Sequence, residues 1–300
     1  MKISIVIPSF NSSQYLSKTL LSIKKQNYSE TEVIIVDGGS SDETAAVVKS
    51  YGSLVSRFVS EPDFGQLDAV QKGFRMATGD VSYWLNADDI LMPETLNYVA
   101  RKFEEDKSLD LIYSDDFAFD ESKRRLFVGR TIRSLSYLDH VLFYRQMYSE
   151  CIFWRSNKTK YLTKDYFNLR LYTDYAFFVN LREGLNELWV PKRLGAFRVC
   201  EGQASAKYRD RQQAEYHSIR SAVHAKHAWS PVHVLMKRAK HFPSFLLRQL
   251  ITPQFNAVCR KVWRMVSLDR RRKMQSDIFF SDWLSEKASS ENSNHEVMFR

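Results

Sequence analysis

Asp88 and Asp89 are adjacent carboxylates that follow the apolar run Val81-Ser82-Tyr83-Trp84-Leu85. Two such acids repel each other unless a divalent cation lies between them and a phosphate. Hard carboxylate oxygens suit Mg²⁺ or Mn²⁺. The competing explanation is local, because Asn86-Ala87-Asp88-Asp89 precedes a helix expected near Pro93 and could cap it. A second cluster, Asp37-Gly38-Gly39-Ser40-Ser41-Asp42, ends another apolar run. Its glycines permit positive φ and close backbone approach. Asp37 could accept a hydrogen bond from a base or ribose, and Ser41 or Asp42 could cap the next helix. The Gly-x-Gly-x-x-Gly fingerprint of a dinucleotide fold is absent after the first strand, and no P-loop is present.

The elements that must carry these clusters follow from periodicity. Short β-branched runs stand at Ile3–Ile7, Glu32–Val36, Leu54–Val59 and Val81–Leu85. Leu16, Leu20 and Ile23, and again Leu67, Val70, Phe74 and Ala77, have helical spacing. Strands alternating with helices imply right-handed crossovers and a mostly parallel sheet with strands buried on both faces. Each run ends in a polar or turn-forming cluster, which places all four clusters on the carboxyl edge of one sheet. Ligands bind at that edge. Further short strands are expected at Leu111–Tyr113 and Leu126–Val128, an apolar piece at Cys151–Trp154, and a helix over Tyr172–Arg182.

Five blocks together carry a family resemblance. They are Ile-Val-Ile-Pro-Ser-Phe-Asn (5–11), Val-Asp-Gly-Gly-Ser-Ser-Asp (36–42), Ser-Glu-Pro-Asp-Phe-Gly-Gln-Leu-Asp-Ala-Val-Gln-Lys-Gly (60–73), Ala-Thr-Gly-Asp (77–80) and Leu-Asn-Ala-Asp-Asp (85–89). In order and spacing the chain resembles the family 2 glycosyltransferases, densely over about residues 1–100 and more thinly to 205. The resemblance implies an α/β protein with the GT-A fold, a Rossmann-like and mostly parallel sheet flanked by helices. Residues 1–205 would form the catalytic domain, and 206–300 a basic, mainly helical extension with a frayed end.

The resemblance also implies roles. Pro8 and Asn11 would lie in the loop that contacts a donor nucleotide, and Asp37 would hold its base or ribose. Asp63, Asp68 and Lys72 would line the nucleotide and diphosphate. Asn86 takes the first position of the family's metal-binding Asp-x-Asp, so Asp88, with Asp89 beside it, would ligate Mn²⁺ or Mg²⁺. Asp174, in Leu171-Tyr172-Thr173-Asp174-Tyr175-Ala176, would be the base that deprotonates an acceptor hydroxyl; its other reading is a helix N-cap. Arg198 belongs to a closing block in which Cys200 stands at the usual His position. The implied activity is inverting, metal-dependent transfer from a nucleotide sugar to a hydroxyl of a glycan or lipid-linked acceptor, typically a surface polysaccharide intermediate. The departures at Asn86, at Ala176, where many members of the family carry a second acid, and at Cys200 sustain an alternative, an inactive GT-A domain that binds sugar or scaffolds an assembly. Trp84, Tyr148, Trp154 and Tyr175 are candidate sugar-stacking rings, or core.

The 300-residue chain carries a net charge of +9. Residues 231–275 hold eleven basic residues against the single acid Asp269, so the rest is nearly neutral. In that segment Phe255, Val258, Val262 and Val266 form an apolar line beside Arg260, Lys261 and Arg264. This fits a helix lying on an anionic membrane surface, or a helical cap with a solvated basic face. No nucleic-acid recognition motif is present. Cys151, Cys200 and Cys259 form no paired spacing, which indicates a reducing compartment rather than a disulfide framework. No apolar run is long enough to span a bilayer. The expected location is cytoplasmic, peripheral on the inner face of the cell membrane if the basic segment binds lipid.

Overall fold

The computed structural model describes residues 1–128, 137, 148–200, 203, 207–208 and 211–227. The basic segment 231–275 and the rest of the expected C-terminal extension beyond 227 lie outside the described residues.

The apolar runs become β1 (Ile3–Ser9), β2 (Thr31–Asp37), β3 (Arg57–Ser60) and β4 (Val81–Trp84). Between them lie α1 (Ser13–Lys24), α2 (Thr44–Ser50) and α3 (Gln66–Met76). The expected strand at Leu54–Val59 starts later, because Gly52–Leu54 forms a 3-10 turn. The chain continues through β5 (Ile90–Leu91), α4 (Thr95–Glu105), β6 (Leu111–Ser114), β7 (Phe117–Asp120) and β8 (Arg125–Val128). After residue 148 come β9 (Ile152–Arg155), α5 (Thr173–Leu181), β10 (Glu187–Val190), β11 (Gly195–Arg198) and α6 (Gln212–His227).

Seven strands form the main sheet in the order β10-β6-β9-β4-β1-β2-β3. All its pairs are parallel except those of β9, which runs antiparallel between β4 and β6. A second sheet, β5-β11-β7-β8, lies alongside. β1 and β2 are buried on both faces, as continuous apolar runs require. One core layer packs α1 and α4 on the sheet through Leu16, Leu20, Leu96, Val99 and Phe103. The other packs α3 and α5 through Leu67, Val70, Phe74, Phe177 and Phe178. Trp84, Trp154 and Tyr175 are fully buried and belong to the core.

The order of crossovers sets the site. The chain moves outward from β1 to β2 and β3, then returns to place β4 on the other side of β1. The strand order therefore reverses between β1 and β4, and their carboxyl ends open a crevice. Asn11 follows β1, Asp37 ends β2, Asp63 follows β3 and Asp88 follows β4.

Among the described residues, no helix is long and apolar enough to cross a membrane. α6 packs on α5 through Ile219 and Val223 against Tyr172, Tyr175, Ala176 and Val179. α6, on the C-terminal side of 205, is thus joined to the sheet-bearing part through Tyr216, Ile219 and Val223.

Candidate active site

The edge loops are tied to one another by short polar bonds. Asn11 adopts a left-handed conformation at φ 47°. Its backbone N–H donates to Ser40 Oγ at 2.7 Å, and its Oδ1 accepts from Ser41 N at 3.0 Å. Asp37, nearly fully buried, accepts from Ser40 N at 2.9 Å and Ser60 Oγ at 2.7 Å. Gly38 lets the Asp63 carboxylate come close, since a Cβ there would stand 2.7 Å from Asp63 Oδ2 and displace it. Burial raises the Asp63 carboxyl above its usual range, and the charges of Asp68 and Asp37 add to this against the hydrogen bond from Gly65 N. Asp42 caps rather than binds. Burial opposes its charge, but bonds from the Thr44 hydroxyl, Ser13 N at 3.0 Å and Thr44 N at 3.1 Å outweigh it and hold the carboxyl at about 2.

Pro8 departs from its expected loop position. It lies inside β1 opposite Val36 and is buried. A proline is tolerated there because β4 pairs only as far as Val6, leaving that side of the ladder free of a partner for the missing N–H. The exposed loop residue is Phe10, 64% accessible, and Phe64 at 69% stands on the neighbouring loop. Asp68 and Lys72 sit on α3. Lys72 Nζ lies 2.8 Å from Glu61 and 3.3 Å from Asp68. The Glu61 bond raises its pKa, so its charge is already matched within the protein.

The two acids after β4 separate in their surroundings. Asp89 is fully buried; Oδ1 accepts from Arg198 N at 2.9 Å and Oδ2 from Asn86 Nδ2 at 3.0 Å. Asp88 is only partly buried, and its Oδ2 accepts from Gln203 Nε2 at 3.3 Å. Burial raises both carboxyls, that of Asp89 well above the usual range, where the charge of Asp88 adds to the effect. The helix-cap reading of this pair is not realised. The first N–H groups of α4, Thr95 N and Leu96 N, are taken by Gln26 Oε1. Asn86 spends its oxygen on Trp84 Nε1 at 2.8 Å and Gln66 Nε2 at 2.9 Å. Arg198 is fully buried behind this loop, with Nε on the Asp88 carbonyl at 2.7 Å and Nη1 on Glu121. Its Nη2 has no hydrogen-bond partner among the described residues.

Asp174 is the second residue of α5, and Tyr172 is the N-cap. Its carboxylate accepts from Tyr175 N at 2.7 Å. Its charge also acts on Tyr148 and on the fully buried Glu150, whose Oε1 has no hydrogen-bond partner among the described residues. Burial, then the charge of Asp89, drives the Glu150 carboxyl well above its usual range. Tyr148 is similarly raised by burial, and its ring lies 5.5 Å from that of Phe197. Cys200 remains a thiol, since burial and the charge of Asp88 both raise it.

The linked loops thus run from Asn11 through Asp37 and Asp63 to Asn86 and Asp88, and Asp174 in the first turn of α5 is related to them through Glu150, on which its charge and that of Asp89 both act. The residues that complete them without having been singled out in the sequence are Ser40, Ser60, Gln66, Gln203, Glu121 and Glu150. Gln66 and Gln203 stand inside recognisable blocks. Glu150 carries no local sequence signal.

The profile of the family described as glycosyl transferase family 2 matches residues 4–185. The chain belongs to glycosyl transferase family 2. An uncharacterised glycosyltransferase of Nostoc is 31% identical over 131 residues, 41% of this chain and 41% of that protein. A PGL/p-HBAD biosynthesis glycosyltransferase of Mycobacterium bovis is 32% identical over 163 residues, 51% of this chain and 58% of that protein. The matches thus span less than two thirds of those relatives' own length. Two solved structures share the fold. TarS 1–349 of S. aureus in complex with UDP-GlcNAc superposes with a TM-score of 0.63 at 18% identity, over 96% of this chain and 83% of that one. The mannosyltransferase PcManGT of Pyrobaculum calidifontis, in complex with GDP-Man and Mn²⁺, gives 0.57 at 14% identity, over 94% and 81%. The α/β architecture of this family 2 chain is therefore GT-A.

Proposed function

We propose that the chain transfers a sugar from a nucleotide-sugar donor to an acceptor hydroxyl, with inversion at the anomeric carbon. The observation that carries this reading is that Asp37, Asp63 and Asp88 stand on linked loops at the strand-order reversal, while Asp174, in the first turn of α5, acts by its charge on Glu150 as Asp89 does. Asp37 and Asn11 would receive the nucleoside, with the exposed Phe10 beside them.

The donor set at Asp88 suits a hard divalent cation. Among the described residues no three His, Cys, Asp or Glu side chains are grouped to hold one. Mg²⁺-type ions need no such cage, since one carboxylate plus substrate phosphates suffices. Asp88 presents one carboxylate whose negative charge burial disfavours and a cation would offset, while Asp89 is committed to Arg198 and Asn86. Asp88 alone is therefore our proposed ligand of Mn²⁺ or Mg²⁺. When bound, the ion would act as a Lewis acid on the diphosphate leaving group.

Asp174 would take the proton of the acceptor hydroxyl as that oxygen bonds to the anomeric carbon and the nucleoside diphosphate departs from the opposite face. One displacement of this kind inverts the centre. The relatives' names say that one acts in PGL/p-HBAD biosynthesis and that TarS was solved with UDP-GlcNAc. For this chain we propose a glycan or lipid-linked acceptor in surface polysaccharide assembly. The support is the sequence of 231–275, whose excess of basic residues would hold the enzyme against an anionic membrane surface on its cytoplasmic side.

The test is nucleotide release from a panel of UDP-GlcNAc, UDP-glucose and GDP-mannose, with and without Mn²⁺, in the presence of a bacterial lipid extract. Release with at least one donor, dependent on the cation, is expected. Sugar binding without any turnover would instead favour a non-catalytic role.

A further inference from the structure

Three consecutive backbone N–H groups, those of Arg170, Leu171 and Tyr172, converge on the carboxylate of Glu215. Arg170 N lies 3.0 Å from Oε1 and 3.2 Å from Oε2, Leu171 N 3.0 Å from Oε2, and Tyr172 N 3.4 Å from Oε2. Successive N–H groups turned to one side form an anion-binding concavity. Here the anion comes from the chain itself, from α6, beyond the stretch matched by the family profile. Hydrogen bonds to an ionised acceptor are the stronger class. Apolar packing of Ile219 and Val223 on Tyr172, Tyr175 and Ala176 keeps α6 in place, and Tyr216 sits 5.9 Å from the Tyr175 ring.

The clamped backbone carries two side chains that matter at the site. Asp174 follows Tyr172 by two residues. Arg170 places Nη1 2.9 Å from the point where a Cβ of Gly65 would stand, at the start of α3. Gly65 has φ 114°, a conformation open to glycine, and the missing side chain makes the room that the guanidinium occupies.

We infer that Glu215 is a positioning residue for the transfer step: its carboxylate fixes the Arg170–Tyr172 backbone and so sets Asp174 and Arg170 at the crevice. This rests on Asp174 being the base. Without Glu215 the three N–H groups lose their acceptor, and the start of α5 is free to shift. A displacement of about 1 Å at a reacting group costs about 10²-fold in rate.

The full-length protein tests this with the donor that turns over in the panel, and with UDP plus Mn²⁺ as the binding probe. Glu215→Ala is expected to lower kcat about 10²-fold while UDP affinity holds. Sodium formate, small enough to enter the emptied concavity, should restore part of the rate, and Glu215→Gln, which keeps one acceptor oxygen, should fall between. Wild-type kcat in Glu215→Ala overturns the inference. So does a loss of kcat together with UDP affinity that neither formate nor Glu215→Gln relieves. Asp174→Asn, assayed in parallel, separates the two claims. If it is inactive while Glu215→Ala is fully active, only the clamp fails; if it retains full turnover, the base assignment fails and the clamp has nothing to position.

Discussion

Asp89 and Arg198 join the two sheets at the site. The Arg198 backbone N–H donates to Asp89 Oδ1 at 2.9 Å, and the Arg198 side chain returns to the carbonyl of Asp88 at 2.7 Å through Nε. β11 thereby grips the loop after β4 from behind and leaves the carboxylate of Asp88 at the crevice. Two adjacent and identical residues are given different work by one neighbouring strand.

That division predicts different phenotypes for two equivalent substitutions. Asp88→Asn should reduce cation-stimulated nucleotide release by about 10²-fold or more and leave the thermal midpoint unchanged, because the change removes a metal ligand and no internal bond of consequence. Asp89→Asn should cost about 1–3 kcal/mol of stability, since an amide there sets an N–H against either Asn86 Nδ2 or Arg198 N. Thermal unfolding and turnover, measured on both variants, check the pair.

Acid sensitivity should trace in part to Glu32. Burial opposes its charge, but bonds from Ser4 Oγ, Thr78 N, Thr78 Oγ1 and Lys2 Nζ prevail and hold its pKa at about 2, against 4.5 for an ordinary glutamate. A lowered folded-state value means stability that is fully present above pH 4.5 and lost as pH falls toward 2. At neutral pH this amounts to roughly 3 kcal/mol. Glu32→Gln should be less stable by about that amount at pH 7 and should show a flatter decline between pH 4.5 and 2 in denaturant titrations.

Gly38→Ala should weaken donor binding by displacing the Asp63 carboxylate. The added Cβ would meet Asp63 Oδ2 at 2.7 Å and push apart the loops after β2 and β3. The strain is on the order of 1–3 kcal/mol. Calorimetric titration with UDP and Mn²⁺ should show the loss in affinity.

The basic segment has its own test. Replacing Arg270, Arg271, Arg272 and Lys273 with Gln removes four charges, each contributing about 1 kcal/mol at an anionic surface. Flotation with vesicles rich in anionic lipid should fall sharply, and nucleotide release from free donor should not change. Undiminished flotation would reject the membrane role of this run.

Legibility in the sequence followed the length scale of each interaction. β1, β2 and β4 were readable because a strand buried on both faces needs an uninterrupted apolar run, as in Ile3–Ile7 and Glu32–Val36. The edge clusters were readable because each abuts such a run. β7 and β11 were not, since Phe117–Asp120 and Gly195–Arg198 are four-residue strands that pair with each other and with β5 and β8 across stretches of chain up to about a hundred residues apart. Within the site, the residue types at Asp37, Asp63, Asp88 and Asp174 pointed to the chemistry. Partners set by distant chain did not show. Asp89 is committed by Arg198, 109 residues away, and the backbone of Arg170 by Glu215, 45 residues away. Pro8 was placed one element late because β1 stays paired with β2 as far as Ser9, past the point where β4 stops beside it.

The account turns on Asp174 accepting the acceptor's proton, and one comparison tests that most directly: kcat for nucleotide release and Kd for UDP with Mn²⁺, in wild type and Asp174→Asn. The prediction is a loss of kcat of about 10²-fold or more with Kd unchanged, as removal of a general base requires. Turnover in Asp174→Asn equal to that of the wild type would contradict it.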